Sequence, residues 1–217
     1  MVVAFNPSTT NTWQAAQWDD YLAQRDRPFD EFQRTKLYFY QQHLYLEMGK
    51  EGINHATVSD LFTMLFFVVS GFIDVDLRSF GRCLLEKPST KEAASPDLIL
   101  FLGDDYPKWQ QGERRYLNLD QCRVPDLVGE ISDTTIFHDL DQKKELYAAL
   151  EIPEYWVIDV QAQRVFLLVL NDRGRYEPSE TSQALPRINT TLLKSALERL
   201  DEDGNAQVAH WLATQLS

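Results

Sequence analysis

The chain has 217 residues, 44% of them hydrophobic and 25% charged, which is the balance of a globular protein long enough to bury a full core. Its formal net charge of −12 argues against an extended basic surface for nucleic acid, because tracking many phosphates calls for an excess of Lys and Arg. Cys83 and Cys122 are too few for a disulfide framework or a zinc spacing, and they suit a reducing compartment.

The opening MVVAFNPSTT has neither a basic segment nor a long apolar core, so no secretory signal is read and a cytoplasmic location is expected. Thr12–Gln24 reads as an exposed helix with Trp13, Ala16 and Tyr21 as docking contacts. Lys36–Tyr40 and Leu44–Met48 read as a hairpin joined by Gln41, Gln42 and His43. After a turn at Gly49–Asn54, a helix is expected from near His55 to Ser70, with Gly71 ending it. It contains the longest apolar run, Leu61–Ile73, which is too short to span a bilayer and suits a core helix. Asp74–Leu77 and Arg82–Glu86 read as a pair of strands and Lys87–Ser95 as a loop.

Pro96-Asp97 opens a strand that runs to Leu102. The polar stretch that follows sets Lys108, Arg114, Arg115 and Arg123 against Asp104, Asp105, Glu113 and Asp120, so it reads as a solvated loop and not as a nucleic-acid patch. Pro125-Asp126 opens a second strand, to Ile131, apolar except for Glu130 near its end. Asp139 then reads as the N-cap of a helix to about Leu150, with Gln142 completing a capping box. At 100° per residue Leu140, Leu146, Tyr147 and Leu150 form one apolar arc. Lys143 lies at the centre of that arc and Lys144 at its edge. A lysine facing a core is costly unless it is paired or used. Tyr155–Asp159 and Arg164–Leu170 read as paired strands, Asn171–Gly174 as a hairpin turn, Thr190–Leu200 as an amphipathic helix, and a last short helix carries Trp211 and Leu212. This order fits an α/β (α+β mixed) fold, a mixed sheet flanked by helices.

The run PDLVGEIS, the spacing Asp139, Lys143, Tyr147, and the run PEYWVID together resemble the bacterial Uma-two family of the PD-(D/E)xK nuclease superfamily. The likeness extends back through PDLIL at Pro96 and, more weakly, through GINHATVSDLFTMLF at Gly52–Phe66, so it covers roughly 36–170. The resemblance implies a restriction-endonuclease-like αβββαβ core at 36–178, with helical extensions at 1–35 and 179–217. It implies that Asp97 is the motif's strand aspartate and Glu130 its second acid. Ser132 stands where the motif's lysine would be, and Lys143 on the following helix takes that role. The glutamate often found in the family's first strand region has no clear match; Glu47 and Glu51 are loose candidates.

A Mg²⁺ ion, or Mn²⁺, takes oxygen ligands, polarises a phosphate and acidifies a bound water, while a neighbouring lysine stabilises developing negative charge. The implied function is therefore a Mg²⁺-dependent endonuclease on DNA, with Asp97 and Glu130 as metal ligands and Lys143 completing the catalytic set. That requires Asp97 and Glu130 on one face, within about 8 Å of each other, since both must reach one ion at about 2.0–2.1 Å. Asp126 is secondary: at four residues from Glu130 on one strand it lies about 13 Å away. Ser132 either lines the site or ends its strand, Tyr147 reads as core beside the site, and His55 reads as a cap or packing residue before a ligand. A homodimer is expected, because cutting both strands calls for two sites; no membrane partner is. The alternative is a catalytically inactive nuclease fold serving as a DNA-binding or protein-interaction module. A hydrolase of some other phosphodiester is a third reading.

Overall fold

A computed structural model describes residues 11–27, 35–48, 52–113 and 116–217. The first half of the turn expected at Gly49–Asn54, including Glu51, and Arg114 and Arg115 lie outside the described residues. In chain order the elements are β1 (Trp13–Ala15), α1 (Trp18–Arg25), β2 (Thr35–Tyr40), β3 (His43–Met48), α2 (Ile53–Ser70), β4 (Leu77–Phe80), β5 (Leu85–Lys87), β6 (Glu92–Ala94) and β7 (Leu98–Leu102). There follow β8 (Leu117–Asn118), β9 (Leu127–Ser132), α3 (Ile136–Leu140), α4 (Gln142–Ala149), β10 (Glu154–Asp159), β11 (Arg164–Leu170), β12 (Tyr176–Ser179), α5 (Thr190–Arg199) and α6 (Asn205–Leu216).

The strands form two six-stranded sheets where the sequence pattern suggested one: β1-β3-β2-β6-β5-β8 and β12-β11-β10-β9-β7-β4. The second has β9 and β10 parallel, with α3 and α4 in the crossover, and its other neighbours antiparallel. Its central strands are buried on both faces, which is why they read as continuous apolar runs. Leu98, Leu100, Leu127, Ile131, Trp156 and Ile158 pack with α2, α5 and α6. The alternate residues, Ile99, Phe101, Val128, Tyr155 and Val157, face Tyr38, Tyr45, Leu85 and Ala94 of the first sheet and Leu146 and Tyr147 of α4. Glu130 follows the second alternation, so it points between the sheets.

The N-terminal segment is not one exposed helix. Trp13–Ala15 pairs with β3, and Tyr21 is fully buried on the far face of the first sheet beside Phe39 and Leu44. The Tyr21 hydroxyl and the Arg25 guanidinium both donate to buried Glu86 on β5. The stretch read as a loop after Lys87 returns as β6, and the polar insert contributes β8, which runs parallel to β5. The expected pair at Asp74–Leu77 and Arg82–Glu86 is instead divided between sheets, β4 pairing with β7 and β5 with β6. The helix α2 has 18 residues and is the one described helix long and apolar enough to cross a membrane; Val58, Leu61, Phe62, Leu65, Phe66 and Val69 are buried in the core with α6 and Trp156.

Two local features set the site's register. The turn between β2 and β3 has two residues, Gln41 and Gln42, both at positive φ (46° and 59°), which is the backbone of a tight hairpin turn, so His43 belongs to the strand and Lys36 lies opposite Glu47. Gly129 sits opposite Leu98 at the crossing of β7, β9 and β10: a Cβ there would meet Leu98 Cδ1 at 3.1 Å and Ile158 Cδ1 at 3.6 Å. One register step further brings Asp97 opposite Glu130. A Gly129→Val chain should therefore lose about 1–3 kcal/mol of stability from overpacking, read from the urea midpoint. An unchanged midpoint would show that these strands are not closely packed.

Candidate active site

Strands β2, β3 and β9, the residue before β7 and helices α2, α3 and α4 each bring a polar side chain to one buried cluster. Asp97, one residue before β7, is 1% exposed. Its Oδ2 accepts the Ile131 N–H at 3.0 Å and lies 3.3 Å from His55 Nε2. Its Oδ1 accepts no well-aligned hydrogen bond among the described residues and faces the Lys36 ammonium at 2.7 Å. Glu130, also 1% exposed, accepts from the Tyr38 hydroxyl at 3.0 Å and from the Tyr147 hydroxyl at 2.5 Å. The Lys36 and Lys143 ammonium groups lie 3.6 and 3.7 Å from Glu130 Oε2.

Lys143 is the most enclosed Lys or Arg among the described residues. Its stem lies in the apolar arc of α4, and its Nζ is 2.8 Å from Asp139 Oδ1, 2.8 Å from Glu47 Oε2 and 4.2 Å from the centre of the Tyr38 ring. Asp139 is the main correction to the sequence reading. It is not an N-cap: the chain is already helical from Ile136, Asp139 is fully buried, and Thr135 Oγ1 donates to its Oδ2 at 2.6 Å. The break between α3 and α4 falls at Asp141. Asp139 and Lys143 are thus an i, i+4 pair turned inward.

Of the acids and lysine expected to share a site, Asp97, Glu130 and Lys143 are together, and Glu47 joins them from β3. Lys36 was not foreseen. It bridges Asp97, Glu47 (3.3 Å) and Glu130, sharing the last two acids with Lys143. His55 touches Asp97 and Tyr147 touches Glu130, so both belong to the cluster, Tyr147 while also packing in the core. Ser132 is buried with its hydroxyl 3.5 Å from Thr135 Oγ1. Asp126 is elsewhere in role: it accepts the Leu102 N–H at 2.7 Å and pairs with Arg123 at 2.9 Å, closing the start of β9 against the end of β7.

Four carboxylates (Glu47, Asp97, Glu130, Asp139) therefore face two ammonium groups. The excess of hard oxygen donors suits a divalent ion such as Mg²⁺ in chemistry and in charge. In placement it does not yet gather: among the described residues no group of three or more His, Cys, Asp or Glu is close enough to hold a metal ion. The Lys36 ammonium stands between them.

The chain is similar to known proteins at the level of family and fold. A family model, Uma2, described as "Putative restriction endonuclease", matches residues 18–201. No curated protein matches the chain. Among solved structures, a crystal structure from Anabaena variabilis ATCC 29413, described as a putative nuclease belonging to DUF820, is 16% identical with a TM-score of 0.50, covering 90% of this chain and 98% of that one. At that identity the likeness is one of fold.

The charges hold one another in unequal states. Burial alone would raise the Glu47 and Asp97 carboxyls, but the lysines outweigh it, Lys143 and Lys36 at Glu47 and Lys36 with His55 at Asp97, so both stay below the usual carboxylate range. Glu130 is the reverse: burial outweighs Lys143 and Lys36 and pushes its carboxyl up to about 8. Burial would lower Lys143, yet Asp139, Glu130 and Glu47 hold it well above the usual range for lysine, so it stays protonated.

The sign of the resulting pH dependence follows from Glu130. Between the unfolded carboxyl's value and about 8 the folded chain keeps a proton that the unfolded chain has lost, so stability falls as pH rises through that window. Asp97 and Glu47, with depressed values, act only at lower pH. In chelator, the unfolding free energy should decline from pH 5 to 8 by at most about 1.4 kcal/mol per pH unit, and the melting temperature with it. Glu130→Gln should flatten that slope; an equal slope in both proteins would move the titrating group elsewhere.

Proposed function

The chain belongs to the Uma2 family, and from that membership we propose that it is a metal-dependent endonuclease hydrolysing DNA phosphodiester bonds. The observation that carries this reading is the convergence of Asp97, one residue before β7, and Glu130 of β9 on one ammonium, at 2.7 and 3.6 Å, with the Lys143 ammonium 3.7 Å from Glu130. Asp97, Glu130 and Glu47 would hold Mg²⁺ or Mn²⁺, which when bound polarises a phosphate and acidifies a water.

The chain's own residues set the rest. Lys143 is protonated and fixed at Nζ by Asp139 and Glu47, so it serves as a preorganised positive donor for charge developing on the phosphate and not as a base. Tyr38 and Tyr147 donate to Glu130 and fix the orientation of its carboxylate. His55 does the same for Asp97. Glu47 and Lys36, whose side chains are 20% and 15% exposed, are the members nearest to solvent and mark the approach. A cytoplasmic setting and a twofold dimer belong to the same proposal. The net charge of −12 favours a second reading, in which the fold is kept as a binding module without cleavage.

Incubating the protein with plasmid and single-stranded DNA separates these readings: cleavage should need Mg²⁺ or Mn²⁺ and stop with chelator. Lys143→Met alone would strand the buried Asp139 carboxylate, at a cost of roughly 3–5 kcal/mol, so it is best paired with Asp139→Asn. The double variant should fold and lose about 10²-fold or more in cleavage, while Lys144→Met should change little. Folded wild-type protein that cleaves nothing with either metal would leave the binding-module reading standing.

A further inference from the structure

The position of Lys36 carries an inference of its own, resting on the metal-dependent reading. Its ammonium lies 2.7 Å from Asp97, 3.3 Å from Glu47 and 3.6 Å from Glu130, amid the three carboxylates that an ion would need. An ammonium and a divalent ion cannot share that space. Each supplies positive charge to the same oxygens, and the lysine is already there, attached to the chain. Asp97 and Glu130 are each only 1% exposed, whereas the Lys36 side chain is 15% exposed, so the lysine has more contact with solvent than these two acids.

We propose that Lys36 is a tethered counter-ion that fills the metal position in the resting protein and must swing out for a divalent ion to enter. Three details support the assignment. Lys36 approaches Asp97 at Oδ1, the oxygen that accepts no well-aligned hydrogen bond, while the other oxygen is held by Ile131 N–H and His55. Lys143 reaches Glu47 and Glu130 but not Asp97, its ammonium being held at 2.8 Å by both Asp139 and Glu47. Finally, Lys36 sits at the second residue of its strand on a flexible four-carbon stem, so it can exchange its three carboxylates for water without unpairing the hairpin, whose register with β3 is a backbone property.

The consequence is competition between an internal and an external cation. Metal affinity is lowered by the free energy needed to expel the lysine, and the site switches between a lysine-neutralised and a metal-neutralised state. A strongly binding metal or an approaching phosphate, which offers the ammonium a new anion, shifts the balance to the second state.

The test is Mn²⁺ binding by titration calorimetry, with thermal melting alongside, on wild type, Lys36→Gln and Lys36→Arg. Lys36→Gln should bind Mn²⁺ about tenfold or more tightly than wild type, and Lys36→Arg no better than wild type. Lys36→Gln alone should melt low in chelator, because three carboxylates have lost their counter-ion, and Mn²⁺ should raise its melting temperature more than that of wild type. Equal Mn²⁺ affinity in wild type and Lys36→Gln overturns the counter-ion role and leaves metal-dependent cleavage intact. If both fold and neither binds Mn²⁺ at millimolar concentration, the metal site fails and the present proposal with it. A Lys36→Gln chain that stays unfolded at all Mn²⁺ concentrations also counts against the proposal, since an ion in the lysine's place would restore the missing charge.

Discussion

Lys143 can be buried at 1% exposure only because Asp139 and Glu47 each lie 2.8 Å from its ammonium, and those two acids come from different parts of the fold. Asp139 belongs to the same helical crossover, whereas Glu47 belongs to the other sheet. The pair that compensates one lysine thus joins the crossover helices to the β2–β3 hairpin. Lys36 makes the complementary connection, from the hairpin to Asp97 and Glu130 on the second sheet. A buried ionic network of this kind is a poor way to gain stability, since desolvating each charge costs several kcal/mol before any attraction is counted. Apolar side chains of the same volume would hold the sheets together at least as well. The network is better understood as a held position of charge, kept in place by the two apolar clusters on either face of the second sheet.

The parts of this arrangement that were legible in the sequence are those with a strong local signal. The inward direction of Lys143 follows from the 3.6-residue period of α4, and Glu130 stands out because it interrupts an apolar strand. That Asp97 faces Glu130 is a matter of register across β7 and β9, for which the sequence offers only the likeness of two Pro-Asp strand entries. Lys36 was hidden for a definite reason. In TKLYFY the residues of both faces are apolar or aromatic, Tyr38 facing one core and Phe39 another, so alternation does not say which side the lysine takes. Reading the turn as Gln41, Gln42 and His43 shifted the hairpin by one residue. With the actual two-residue turn, Lys36 and Glu47 fall opposite each other and the pair becomes readable. Asp139 was hidden by its context, since an acid after a Ser/Asp/Thr loop has the signature of a helix cap whether or not it caps. The short strands β6 and β8 have three and two residues, too few for any period to show.

The charge balance of the whole chain and that of the site are separate questions. The chain as a whole carries an excess of acid, while the interior cluster sets three carboxylates and the protonated Glu130 against two lysines. Salt screens the first strongly and the second little, because the cluster is withdrawn from water. A protein of this kind gains little from long-range attraction to a polyanion, and its chemistry must rest on groups fixed at short range.

The cluster also has a place in time. Lys143 meets Glu47 across 96 positions of sequence, and Tyr38 meets Glu130 across 92. Contacts so distant along the chain close large loops, whose entropy is repaid only when the intervening elements have packed. During synthesis the hairpin with Lys36 and Glu47 leaves the ribosome well before α4, so the acids of a nascent chain have Lys36 beside them and no Lys143. The cluster is therefore complete only once the crossover helices have emerged and docked against the first sheet.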